Sequence, residues 1–340
     1  MSASPIVAVQ PLGFPWQTAD PFLFCVHHLD LYPKGNEQMG PDASLAGRRL
    51  GQDFSGESGW SMYHGQTVPG FPHHPHRGFE TISIARQGFI DHADSLGATA
   101  RFGAGDVQWM TAGKGIVHSE SFPLLNRDEP NPTELFQIWL NLPRDSKMVE
   151  PHFTMFWADE VPVIEETDDD GRRSRIQVIA GELNGHVPPA PPPNSWASHD
   201  DSDVAIWSIA LSPGASVTLP AGSVAARRTL YVFGESGVEI AEQHVDPNHA
   251  CSVRPDVEVT LVAGDAGAEL LMLQGRPIQE PIAQHGPFVM NYPGEIRRAM
   301  QDYEETQFGG WPWKSDAPVH DREAGRFAVH ADGSEERRGH

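Results

Sequence analysis

Residues 70–84 read GFPHHPHRGFETISI, and residues 113–120 read GKGIVHSE. Each string sets two metal-capable side chains at i and i+2: His74 with His76, and His118 with Glu120. Successive side chains of a β-strand alternate faces, so each pair would project from one face of its strand. Two such strands facing each other inside a barrel could bring all four side chains to one ion. Imidazoles with one carboxylate suit Fe(II), Mn, Ni, Co, Cu or Zn. The chain holds 17 His, however, so an HxH pair by itself can arise by chance, and the surrounding residues have to decide.

Composition narrows the class. The 340 residues are ample for two domains with sizeable cores. With 33 Gly and 30 Pro between short apolar runs, the pattern favours many strands and turns over helices. A formal net charge of −22 argues against nucleic acid or an anionic membrane as a direct partner, because phosphate binding needs an excess of Lys and Arg. Cys25 and Cys251 match no paired motif and read as inert thiols. The N-terminal MSASPIVAVQPLGFPW lacks the basic leader and apolar run of a signal peptide, and no run approaches the roughly 20 apolar residues of a membrane span. A soluble, cytoplasmic protein is the expectation.

Strands are predicted at 22–26, 78–85, 98–102, 107–111, 116–122 and 135–142, with Ala112-Gly-Lys-Gly115 as a turn holding His118 and Glu120 near a barrel mouth. The run EETDDDGRRSR (165–175) has no apolar residue and reads as a solvated linker. Strands resume at 176–180, 204–211, 216–219, 229–233, 237–241, 257–262 and 269–274. Residues 187–194 (VPPAPPPN) form a loop that cannot enter a central strand. Ile296, Ala299, Met300 and Tyr303 recur at helical spacing, giving one amphipathic helix to about Gln307.

The segment 70–84, Asp94-Ser-Leu-Gly97, GDVQWMTAGKGIVHSE (105–120), ELFQIWLNLP (134–143), KMVEP (147–151) and IAQHGPFVMN (282–291) together closely resemble the pirin family of the cupin superfamily. The resemblance spans about residues 15–308. It implies an all-β fold of two tandem cupin barrels with a short C-terminal helix and a polar tail. The expected organisation is a metal-binding cupin domain over 1–163, a linker or loop over 164–175, a ligand-free cupin domain with the terminal helix over 176–308, and the tail over 309–340. By the match the metal ligands fall on His74, His76, His118 and Glu120.

The residues themselves leave a rival carboxylate open. Cupins in general follow HxH with a Glu three or four residues on, and Glu80 has that spacing after His76. On a straight strand it would stand about 13 Å from His76, so a turn at Arg77-Gly78 would be needed. The resemblance favours Glu120, leaving Glu80 behind the ligands or paired with Arg77. His73 precedes the pair on the opposite strand face, and His27, His28 and His92 have no partner spacing. In the second half the corresponding AGSVAARRTLYVF (221–233) carries no His, and His244 and His249 read as loop residues. Trp311 and Trp313 either tuck the tail onto a barrel or form an aromatic patch for a partner. His320, His330 and His340 read as tail residues.

Three imidazoles and a carboxylate leave one or two positions open for water, O2 or a substrate oxygen. Glu120 could loosen from the ion and accept a substrate hydroxyl proton as general base. The resemblance implies quercetin 2,3-dioxygenase activity, with Fe(II) ahead of Mn, Ni, Co, Cu or Zn and with a small aromatic substrate and O2 as partners. Phe71, Phe79, Trp109 and Phe122 could line a planar pocket or simply fill a core. The resemblance equally admits a second role, an iron-dependent redox sensor that binds a transcription factor or metabolic enzyme.

Overall fold

Short apolar runs broken by glycine and proline become strands throughout, with one α-helix, Pro293–Thr306, among the residues described. The structure is a computed structural model that describes residues 4–339; His340 lies outside the described residues. No helix among these is long and apolar enough to cross a membrane.

The chain divides into two units, each assembled from two separate segments: Met1–Cys25 with Asp159–Gln279, and Val26–Ala158 with Glu280–His340. In the first, a seven-stranded sheet runs in the order Ile6–Pro11, His249–Val253, Arg227–Val232, Ala268–Gly275, Ala205–Leu211, Arg173–Ala180 and Val163–Thr167. A four-stranded sheet completes the barrel, and its core is aliphatic, with Val178, Ile209, Leu230, Val232, Leu261 and Met272 buried together.

These boundaries differ from those expected. Residues 1–25 go with the second half because Ile6–Pro11 pairs antiparallel with His249–Val253, and Trp16 stacks on Tyr231 at 5.3 Å. The expected linker at 164–175 is a hairpin at the edge of the sheet, with Glu165 opposite Arg175 and the turn closed on Asp168. Its charged side chains are what an exposed edge strand carries, and they resemble a linker only in composition. His249 begins a strand, and His244 pairs with exposed Asp246.

In the other unit a five-stranded sheet runs His152–Phe156, Val107–Thr111, Phe79–Gln87, Asn131–Asn141 and Phe22–Tyr32, of which residues 26–32 belong here. A six-stranded sheet runs Glu335–Arg338, Arg326–Val329, Thr99–Gly103, Phe89–Asp94, Ile116–Ser121 and Gly70–His76. The expected tail therefore contributes two strands. Trp311 lies on the His73 ring at 5.2 Å, and the Trp313 indole N–H donates to the Asp94 carbonyl at 2.8 Å. Arg101, fully buried, donates to both carboxylate oxygens of Asp91 at 2.7 Å and to the carbonyls of His320, Asp321 and Arg322. The tail is thus tucked down, and its backbone caps an ion pair on the outer face of the sheet.

The helix packs Ile296 and Ala299 against Phe288 and Met290, while Met300 is exposed. Two glycines permit close approaches around the histidine strands. A Cβ on Gly70 (φ 132°) would stand 2.3 Å from the Glu120 carbonyl oxygen, and one on Gly115 (φ 138°) would meet the Phe308 ring at 2.6 Å.

Candidate metal centre

His74 lies directly opposite His118 across the pairing of Gly70–His76 with Ile116–Ser121. Directly paired residues share a face, and His76 joins them two residues along. The ring centroids are 4.5 Å (His74–His118), 4.8 Å (His74–His76) and 4.9 Å (His76–His118) apart. One ring nitrogen from each of the three lies within 4.8 Å of the others, the arrangement that could hold a metal ion.

Burial keeps these imidazoles neutral. It lowers His74 to about 4, and pushes His76 and His118 well below the ordinary histidine value, with neighbouring imidazoles adding to the shift of all three. The His74 Nδ1 lies 2.9 Å from the Pro72 carbonyl, which can only accept, so Nδ1 carries the hydrogen and Nε2 presents its lone pair. His118 is fully buried with neither ring nitrogen hydrogen-bonded. Leaving such a group unsatisfied costs about 1–3 kcal/mol, and a bound cation would satisfy it. The donor set fits a divalent transition metal.

Glu120 is buried at the same site, but its carboxylate is not among the groups gathered within that distance. Its Oε1 lies 2.9 Å from the Ser83 hydroxyl, and its Oε2 accepts from the Gln137 amide at 3.3 Å. Burial raises the Glu120 pKa. Ser83 Oγ is also 2.5 Å from Gln137 Oε1, and one hydroxyl hydrogen cannot serve both acceptors. To the ionised carboxylate the Ser83 hydroxyl and the Gln137 amide both donate; a proton on Glu120 would instead close a ring, carboxyl to Ser83, Ser83 to Gln137, and Gln137 amide back to the carboxyl.

Glu80 sits on the other sheet, buried, where its Oε1 accepts from Thr111 Oγ1 at 2.6 Å, and it does not join the imidazoles. Arg77 pairs with Asp302 instead, at 2.7 Å. His73 turns to Trp311, and His27 to Glu134 at 2.8 Å. His28 contacts the Tyr63 hydroxyl, which donates to Asp30. Phe71 and Phe122 pack together with Tyr63, and Trp109 lies against Phe156.

Sequence reasoning passed over His92. It is fully buried, directly opposite Glu120, 3.2 Å from Asp94 Oδ2, with its ring 5.5 Å from His118 and stacked on Phe153. The signal was the same i, i+2 spacing, His92-Ala-Asp94, on the strand Phe89–Asp94, which no apolar alternation announces. Ser83, Gln108 and Gln137 were also missed. They form one cross-strand row, and a polar residue on the inward face of an apolar strand was the clue.

Two antiparallel barrels, one of them gathering three histidines inside, define a bicupin. The chain belongs to the pirin family: the Pirin profile matches residues 47–140, and that of the Pirin C-terminal cupin domain matches residues 206–309. It is 33% identical to Pirin of Homo sapiens over 72% of this chain and 81% of that one. It is 37% identical to a Pseudomonas aeruginosa protein provisionally named quercetin 2,3-dioxygenase, over 70% of this chain and 79% of the relative. Among solved structures, quercetin 2,3-dioxygenase from Acinetobacter baumannii superposes with a TM-score of 0.69 at 27% identity, covering 90% of this chain and 98% of that one.

Proposed function

We propose that the chain is a metal-dependent dioxygenase of the quercetin 2,3-dioxygenase type, opening the ring of a flavonol or related enol or catechol with O2. The supporting observation is the trio of neutral imidazoles, His76 and His118 buried and His74 half-buried, with His118 unsatisfied at both nitrogens. The names carried by the Pseudomonas and Acinetobacter relatives point the same way. His74, His76 and His118 would hold the ion, Fe(II) before Mn, Ni, Co, Cu or Zn, with Glu120 as the fourth, carboxylate group.

Held by His74, His76 and His118, a redox-active ion would supply the means for an electron-rich enolate and O2 to share electrons across the spin barrier. The protein's own part is acid–base and positional. Glu120 accepts the substrate's hydroxyl proton at Oε1, and the Ser83–Gln137 ring then receives the neutral carboxyl with its proton, the Ser83 hydroxyl and one Gln137 amide hydrogen each paired. Burial favours that protonated form. The Trp139 and Phe79 rings, at 5.5 and 5.1 Å from His76, shield the imidazoles from water.

The test is O2 uptake with carbon monoxide detection on protein loaded anaerobically with Fe(II) and given quercetin. Turnover lost in both His76→Ala and Glu120→Ala supports the reading. Stoichiometric iron binding without turnover across a panel of flavonols would sink it and move the search to protein partners that distinguish Fe(II) from Fe(III).

A further inference from the structure

The inner wall opposite the histidines is polar where a barrel core is ordinarily apolar. Ser83 stands directly across from Gln137 on one side and from Gln108 on the other, so the three side chains share one face of the five-stranded sheet. Ser83 and Gln137 reach Glu120 on the six-stranded sheet, at 2.9 and 3.3 Å. Gln108 is fully buried, with neither its amide nitrogen nor its oxygen hydrogen-bonded. Native cores seldom keep such groups without use. The three imidazoles meanwhile converge without the carboxylate.

We infer that Ser83 and Gln137 are positioning residues that hold the Glu120 carboxylate back from the three-histidine face and so set how far it joins an ion bound there. The inference rests on the metal reading above. The carboxylate has two competing sets of partners. One is an ion among His74, His76 and His118; the other is the hydroxyl and amide donors of the facing sheet. Removing the second set releases the carboxylate to the first. His92, directly across from Glu120 with Nδ1 unpartnered, bounds the space in which the carboxylate moves.

The test uses the full chain stripped of metal and titrated with Co(II), read by visible absorption, whose bands weaken as coordination number rises from four. Ser83→Ala and Gln137→Leu are expected to bind Co(II) about tenfold more tightly, on the scale by which partners behind a metal ligand tune affinity, with weaker bands than wild type. Glu120→Gln should erase the difference, so that Glu120→Gln and Glu120→Gln/Gln137→Leu give the same affinity and spectrum. Unchanged or weaker binding in the two single variants overturns the inference, as does a difference that persists in the Glu120→Gln background. Wild type that takes up no Co(II) overturns the metal reading itself, and the inference with it.

Discussion

The two barrels share a strand plan and fill it with opposite chemistry. In one, Val178, Ile209, Leu230, Val232 and Met272 close the interior with aliphatic side chains, each worth about 1.5–3 kcal/mol when fully buried. In the other the equivalent space holds His74, His76, His118, Glu120, His92, Ser83, Gln108 and Gln137, several of them buried with unpaired atoms. A cupin barrel therefore does not need an ion to close. The histidine-bearing barrel keeps its polar interior at a cost in stability, as expected where chemistry rather than packing dictates the residues.

The contrast can be broken most sharply by exchanging the damage. His76→Ala is expected to abolish stoichiometric metal uptake, measured by metal analysis after gel filtration. Leu230→Ala in the aliphatic barrel should leave uptake unchanged while costing about 2–5 kcal/mol of stability in urea titration. Next in size, Arg101→Leu strands the Asp91 carboxylate and the tail carbonyls and should cost about 3–5 kcal/mol, detectable as early protease cleavage near residues 320–322. Metal at one hundred times its Kd should stabilise by about 2.7 kcal/mol, with slowed hydrogen exchange confined to the histidine-bearing barrel and reversed by chelator.

Mild acid gives the smallest effect. His28 and His74 have folded pKa values near 4 against 6.5, so they bind protons less readily folded than unfolded. Their contribution is present above pH 6.5 and lost as pH falls toward 4. Asp30, raised to about 6 chiefly by burial, acts oppositely: its contribution is present at low pH and lost as pH rises from 3.8 through 6. With His76 and His118 also lowered, four histidines outnumber the three carboxylates that burial raises, Asp30, Asp106 and Glu120. A net loss of stability between pH 6.5 and 4 is expected, seen as faster exchange at pH 5 in this barrel and not in the aliphatic one.

Much of this was legible in the chain. HPH at 74–76 and HSE at 118–120 fixed the histidine face because alternation along a strand is strictly local. What could not be read were the groups whose roles depend on residues far away. Ser83 and Gln137 acquire meaning only once two sheets face each other. Whether Trp311 tucked the tail onto a barrel or formed a patch for a partner stayed open until the structure laid it on His73. The run 165–175 looked like a linker because composition does not separate an exposed hairpin from a tether. Spacing set Glu120 on the same strand face as His118, but its hold on Ser83 rather than on the imidazoles was not visible from spacing.

The interleaving of the segments bears on how the molecule is made. Ile6–Pro11 is synthesised more than two hundred residues before its partner strand His249–Val253. At about 5–20 residues per second the first strand waits roughly 10–50 seconds for its place in the sheet. The histidine strands Gly70–His76 and Ile116–Ser121 can pair with each other well before the strand Arg326–Val329 that extends their sheet, which follows more than two hundred residues later. Nascent chains are then expected to expose a three-histidine face before its sheet is complete.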